Sequence, residues 1–454
     1  MDHSEQPTLN FITISHPNEL KDQDIQHKIR KFAMGKVGNA RRKSRTGKRG
    51  KEIVLEIRGL EASSPATGSN SDELGPGSIL GSIDPFATLS FDMDSKASDL
   101  CYKFFSTNQN YTEVLRTAWS FAGFYDEMAF RTFLSNSSIY LAMLRSGTNM
   151  RKDTTESLML YTKALSLLRK KLDDPAQHTS DGLIGGMSGF LFHDFVIGDF
   201  KGWNRHMDGL LKMIQLRGGF QTVNEQNIRI ALSWADICGC FSQDIPPRVP
   251  LPLPWVQSIA FPLIGDPHNI PNPVQRMWRD EFPNTYEWLS VYDLLYTFIH
   301  ELKRPSSFWM EPVLHRLLSL RPSKPAVDFT RASIVEEVCR IGSLLFLAPM
   351  WRLSGLHPVR TMQMRKNLLG LLKTHRVDWG QCRVILLWTL AQAVREAQKG
   401  TEQWEFAIML LMVSRQMGLF SWQDIIARVE SVLSRGEPIS SWDVVEKALQ
   451  DVGK

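Results

Sequence analysis

From Asp84 to the C-terminus, apolar residues recur three and four positions apart in segment after segment, and strand-type alternation is almost absent. That spacing is the signature of one face of an α-helix. It is plain in ESLMLYTKALSLLRKKL (156–172), GWNRHMDGLLKMIQLRGG (202–219), NIRIALSWADICGCF (227–241), VEEVCRIGSLLFLAPMW (335–351) and QWEFAIMLLMVSRQMG (403–418). Arg217 followed by Gly218 and Gly219, and Gly418 in the last segment, supply helix stops, because glycine accepts the left-handed backbone that ends a helix. The Pro-rich run IPPRVPLPLPW (245–255) interrupts the pattern and reads as the start of an extended crossing or a surface loop that runs on through FPLIGDPHNIPNPVQ. The fold class expected is therefore all-α, a multi-helix body with one long irregular segment.

Thirteen Trp and 24 Phe in 454 residues are too many for a disordered chain, so a sizeable buried core is expected. The net charge of +5 conceals an asymmetry. Residues 28–51 hold eleven Lys or Arg and no acid, which leaves 42 basic against 48 acidic side chains elsewhere. The basicity belongs to one short arm ahead of a mildly acidic body. NFITISHP (10–17) reads as a short extended piece. LKDQDIQHKIRKFAMGKVGNARRK reads as a basic amphipathic helix that ends near Gly47 and Gly50. EASSPATGSNSDELGPGSILGS (61–82) is rich in Ser, Gly and Pro and reads as a linker. The division expected is a basic arm at 1–60, a linker at 61–82 and a helical domain at 83–454.

Five cysteines, Cys101, Cys238, Cys240, Cys339 and Cys382, are odd in number and scattered, unlike a disulfide framework. The N-terminus has early acids and no apolar core of a signal peptide, and the longest apolar run, VILLWTLAQAV (384–394), is short for a membrane span. These features imply a soluble intracellular protein without membrane attachment.

No catalytic motif is complete. A P-loop requires G-x-x-x-x-G-K-[ST], but Gly47-Lys48 is followed by Arg49 and Arg42 stands at the first glycine position. Around Ser188 the sequence GMSGF lacks the second glycine of a nucleophile elbow. His193, Asp194, Asp199, His206 and Asp208 crowd one neighbourhood, yet the thirteen-residue separation of the histidines specifies no coordination geometry; hydrogen bonding inside a packing layer is the favoured role. Cys238 and Cys240 read as core thiols. No enzyme, metal or cofactor is expected. The basic stretch Lys36, Arg41, Arg42, Lys43, Arg45, Lys48, Arg49 and Lys51 has three readings: a nuclear import signal, a nonspecific DNA contact that releases counterions from phosphates, or an inert tail.

Residues 154–219 resemble the helical fungal-specific transcription factor domain that follows binuclear zinc cluster modules. The resemblance rests on a Y-x-x-A-L helix, Tyr161, Ala164 and Leu165, then on Phe195, Gly198, Asp199, Phe200, Trp203, His206 and Gly209, and on an R-G-G turn at Arg217, Gly218 and Gly219. The arm together with IDPF (83–86) is similar to the N-terminal segment of such proteins that lack the zinc cluster. The resemblance implies that Trp203 and Phe200 are buried anchors, that Gly198, Gly209 and the glycine pair permit close packing and a left-handed turn, and that His206 tethers by hydrogen bonding. A binuclear cluster needs six closely spaced thiolates, and none of the five cysteines lies in the arm. The localised charge, the helical periodicity and the resemblance together imply a fungal nuclear transcriptional regulator whose partners are DNA through the arm, an import receptor, and other regulators or a second copy. A non-nuclear helical scaffold is the alternative.

Overall fold

The computed structural model describes residues 95–106, 118, 126–146, 153–258, 272–300, 310–321, 330–353, 358–433 and 442–452. The extended piece at 10–17, the basic helix, residues Lys36 to Lys51, the linker and IDPF lie outside the described residues. All described residues belong to one compact unit, Leu80–Lys454.

Sixteen α-helices and no strand occur among the described residues. They are α1 (Ser95–Ser106), α2 (Glu127–Ser146), α3 (Thr155–Leu172), α4 (Asp181–Ile197), α5 (Phe200–Arg217), α6 (Gln226–Gln243), α7 (Leu253–Ser258) and α8 (Pro273–Glu281). Next come α9 (Glu287–His300), α10 (Met310–Ser319), α11 (Arg331–Arg352), α12 (Met362–Thr374), α13 (Arg383–Glu396), α14 (Thr401–Gln416), α15 (Trp422–Glu430) and α16 (Asp443–Val452). The fold is all-α, as the periodicity predicts. Each of the five helical segments read from sequence is a helix within a few residues of its expected bounds. The Pro-rich crossing is interrupted sooner than expected: Ile245–Pro252 is irregular, but Leu253–Ser258 turns into α7. Pro254 is admitted there because the first turn of a helix needs no intrahelical N–H.

Of the helices that are buried all round, α4 and α13 each organise half of the body. In α4, DGLIGGMSGFLFHDFVI, thirteen residues are buried, and the helix packs on α2, α5 and α6. Its approach to α2 depends on small residues: a Cβ at Gly186 would enter the end of Met128 and crowd Ala129, and one at Gly189 would enter Thr132. Asn136 of α2 donates to the Gly189 carbonyl across this contact at 2.9 Å. In the second half, Ile385–Val394 of α13 are all buried among α11, α14, α15 and α16. α6 joins the halves, with α4 on one side and α10 and α12 on the other. One apolar core runs from Ala97 to Leu449. VILLWTLAQAV is thus a central core helix, and no described helix is long and apolar enough to cross a membrane.

Candidate functional site

The residues that carry the family resemblance assemble where α3, α4 and α5 meet. α3 begins at Thr154, whose hydroxyl accepts from Ser157 N at 3.0 Å and so satisfies one of the orphan donors of the first turn. α3 runs antiparallel to α2, with Lys171 paired to Asp126 at one end and Ser135 donating to the Ser157 carbonyl at the other. This places Tyr161 over α4. Its ring stacks on His193 at 4.0 Å and meets Phe190 edge-on at 5.3 Å, while its hydroxyl donates to Asp194 Oδ1 at 3.1 Å. Burial, reinforced by the Asp194 charge, pushes the Tyr161 phenol well above its ordinary range, so it remains a donor.

α4 stops at Gly198, which takes φ +84°. The Gly198 N–H bonds the Phe195 carbonyl and the Asp199 N–H bonds that of Asp194, the paired bonds of a Schellman turn. The next residue, Asp199, starts α5 by accepting from Gly202 N at 2.9 Å. One turn later the Trp203 indole is fully buried against α6, at a point where Gly239 leaves room that a Cβ would take. His206 returns to α4, with Nδ1 2.7 Å from Asp194 Oδ2. Asp194 therefore holds α3 through Tyr161 and α5 through His206, one oxygen for each.

Arg217, Gly218 and Gly219 form a second Schellman turn, with φ values of +111° and +101° at the glycines. Arg217 secures it by donating to the carbonyls of Thr179 and Thr222 and pairing with Asp181. Phe200 is only half-buried, and its ring is covered by the Arg360 guanidinium at 5.9 Å rather than by the core alone. Gly209 departs from the expectation of close packing. It is exposed on α5, has helical backbone, and a Cβ there would meet nothing within 4 Å. The close approaches belong instead to Gly202 and Gly239, which lie on the buried side of their helices.

Of the histidines and carboxylates singled out as metal candidates, only His206 and Asp194 pair with each other; Asp199 caps α5, and His193 and Asp208 are held by residues outside the set. His193 Nε2 lies 3.2 Å from Asp153 Oδ1 and its Nδ1 lies 3.4 Å from Ser135 Oγ. Desolvation works to raise the Asp153 carboxyl, but His193 and Ser157 outweigh it and hold it below the usual range. Asp208 is on the outer face of α5, paired with Arg248. No group of three or more His, Cys, Asp or Glu suited to a metal occurs among the described residues. Ser135, His193 and Asp153 have the residue types of a nucleophile relay, yet Ser135 is fully buried and its hydroxyl is committed to a backbone carbonyl. The five cysteines are free and buried. Burial pushes Cys101 and Cys382 up to about 12 and raises Cys238, Cys240 and Cys339 well above the ordinary thiol value, so none is a ready thiolate.

Two tethers were not legible in the sequence. Arg360 donates to the carbonyls of Phe195 (2.6 Å) and Val196 (2.5 Å), capping the end of α4 with a cation from the far half of the chain. Asp244 ends α6 in a left-handed conformation, φ +54°, unusual for a residue with a side chain. Its buried carboxylate accepts from Arg321 (2.6 Å), Arg340 (3.0 Å) and Asn367 (2.6 Å). Arg340 is itself fully buried and shared with Glu337. Only the isolated charges inside apolar runs, such as Arg340 in VEEVCRIGSLL, hint at such a node. A surface cavity of about 610 Å³ between the start of α14 and α16 is lined by Trp404, Val444 and Ala448 with both charge signs, Lys447 and Asp451. It lies apart from the family residues.

Comparison with curated proteins and with solved structures gives no match. Residues 96–311 match the family model of the fungal specific transcription factor domain. The matched span opens in α1 and closes in α10, so it contains the whole α3–α4–α5 assembly around Asp194. That span is therefore similar to the fungal-specific transcription factor domain, and the similarity supports a role in transcription regulation.

Proposed function

We propose that this protein is a nuclear transcriptional regulator in which residues 1–60 form an attachment arm, 61–82 a linker and 83–454 a helical regulatory body. The observation that carries the reading is the joining of a transcription factor domain at 96–311 to a segment, 28–51, with eleven basic and no acidic side chains. Two basic clusters, RRKSR and KRGK, have the composition an import receptor reads. The same charges suit salt-sensitive contact with DNA phosphates. The helical body recruits other regulators or a second copy. Buried thiols, a buried Ser135 and histidines each held by a carboxylate favour a non-enzymatic role. All five cysteines stand within the described helices or the short turn before α13, buried and away from the arm.

Two measurements test this. A fluorescent reporter fused to residues 1–60 is expected in the nucleus; cytoplasmic residence refutes the import role. Purified full-length protein is expected to bind duplex DNA with an affinity that falls steeply with salt. A variant with Arg41, Arg42, Lys43, Arg45, Lys48 and Arg49 changed to Ala should lose that binding. Equal binding by both proteins removes the arm from DNA contact.

A further inference from the structure

α3 and α5 both run antiparallel to α4. Tyr161 reaches Phe190 and Asp194, His206 reaches the same two residues, and Arg217 reaches Asp181 at the opposite end of α4. The two helices therefore run parallel over α4, bridged through Asp194 by Tyr161 and His206. Along α3 the flank at this bridge reads Leu158, Tyr161, Leu165, Leu168 and Leu172, steps of three, four, three and four, the spacing of a helix-packing seam. Along α5 it reads His206, Gly209, Met213 and Leu216, steps of three, four and three. Alternate members point down: Tyr161 and Leu168, His206 and Met213 are packed against the core. The other members face solvent, Leu158 at 51%, Leu165 at 37%, Leu172 at 47% and Leu216 at 65% exposure, with Gly209 between them.

Half of each seam is thus satisfied and half is open. The exposed leucines of α3 form one wall of a valley about 21 Å long at 1.5 Å per residue. The other wall is lowered at Gly209, a family-motif glycine with no internal reason to lack a side chain. Basic residues rim the valley. Arg169 stands between Leu165 and Leu172, and Arg205 and Lys212 flank Gly209 at four and three residues. All three are exposed and engage no ion pair among the described residues. Across both helices there are eight Lys or Arg and two acids, and those acids are occupied: Glu156 accepts from Ser138 and Asp208 pairs with Arg248.

We infer that the α3–α5 valley docks an amphipathic helix of a partner protein, with apolar residues three and four apart along its centre and Asp or Glu along its flanks. The exposed leucines complete their seams against the partner's apolar stripe. Gly209 admits the partner backbone closely, and Arg169, Arg205 and Lys212 meet its carboxylates. Apolar walls along the centre favour this occupant over nucleic acid, whose phosphates need cations there and have no use for leucine. The inference is independent of what the basic arm does.

The test uses the full-length chain carrying the six arm alanines, so that the arm cannot attract acidic probes. The probe is a fluorescein-labelled synthetic 18-residue helical peptide with Leu three and four apart and Glu on both flanks, followed by anisotropy at low and moderate salt. Saturable binding at least tenfold tighter than a scrambled peptide is expected. Gly209→Leu should weaken it at least tenfold without lowering the unfolding midpoint, because the position is open and helical. Arg169→Glu/Arg205→Glu/Lys212→Glu should weaken it similarly and remove its salt dependence. Binding no better than the scrambled peptide, or unchanged in Gly209→Leu, overturns the proposal. So does duplex DNA that displaces the peptide and binds equally to a Leu165→Ser/Leu172→Ser variant, which makes the valley a phosphate surface.

Discussion

Replacing Arg360 by Met keeps most of the side-chain volume and removes the cation that closes α4. Its two hydrogen bonds, 2.6 Å to the Phe195 carbonyl and 2.5 Å to that of Val196, are charge-assisted, and such bonds are worth about 1.5–3 kcal/mol each. The guanidinium also lies 5.4 Å from the Phe195 ring and 5.9 Å from that of Phe200, worth about 0.5–1 kcal/mol at a partly exposed site. These terms do not add in full. Phe195 O keeps the Gly198 N–H at 3.2 Å, water can reach a half-buried site, and freeing the side chain returns up to about 2 kcal/mol of rotamer entropy. A net loss of about 3 kcal/mol is expected, because Val196 O is left at the negative end of a buried helix with no replacement donor from the protein. Guanidinium chloride unfolding at pH 7 reads this directly. Arg360→Lys should fall between the two, since an ammonium keeps the charge but cannot fork to both carbonyls. An Arg360→Met variant within about 0.5 kcal/mol of the parent, or a lysine variant equal to it, refutes the reasoning.

Gly239→Ala is expected to cost about 1–3 kcal/mol or more in the same assay, because the new methyl falls inside the fully buried Trp203 indole and the helix pair must separate. A neutral result would show that the α5–α6 contact repacks freely. Asp236 is fully buried, and desolvation raises its carboxyl to about 6 despite hydrogen bonds from Val249 N, Arg248 N and Cys240. The unfolded chain releases this proton near pH 4 and the folded chain near pH 6, so the group's contribution falls as pH rises between those values, by up to about 3 kcal/mol, and is flat above. Denaturant midpoints at pH 4 to 7 should show a smaller fall in Asp236→Asn than in the parent; parallel profiles contradict the assignment. A fragment of residues 96–311 is expected to lack a cooperative thermal transition. It ends inside α10 and lacks Arg321, Arg340 and Asn367, which leaves the Asp244 carboxylate without those partners. A sharp two-state melt of that fragment would show that the matched span folds alone.

The contribution of the sequence by itself is local and repetitive. Apolar residues three and four apart in 156–172, 202–219 and 227–241 specify helices because each such stripe must be buried, and no alternating strand pattern competes. The ends of α4, α5 and α14 follow from Gly198, Gly218 and Gly418, where only a left-handed residue permits the closing bonds. The Tyr161, Asp199, Trp203 and Arg217 positions were legible through the family pattern, and their roles as tether, cap, anchor and turn fastener follow from their chemistry. Tertiary structure decided which of two similar glycines is spatially constrained: Gly239 faces an indole and Gly209 faces solvent, a distinction set by helix rotation rather than by neighbouring residues. It also chose the partners of Asp244 and Arg360. Asp244 is satisfied by Arg340, 96 residues away, and Arg360 reaches Phe195 across 165 residues. No sequence period encodes such pairs, because a charge becomes indispensable only where folding has already removed the water around it. The open half-seams of α3 and α5 have the same origin. Leu158 and Leu168 each stand three residues from a neighbour in one heptad pattern, Tyr161 and Leu165, and only the way α3 is seated on its neighbours, chiefly α2, leaves the first in solvent and buries the second.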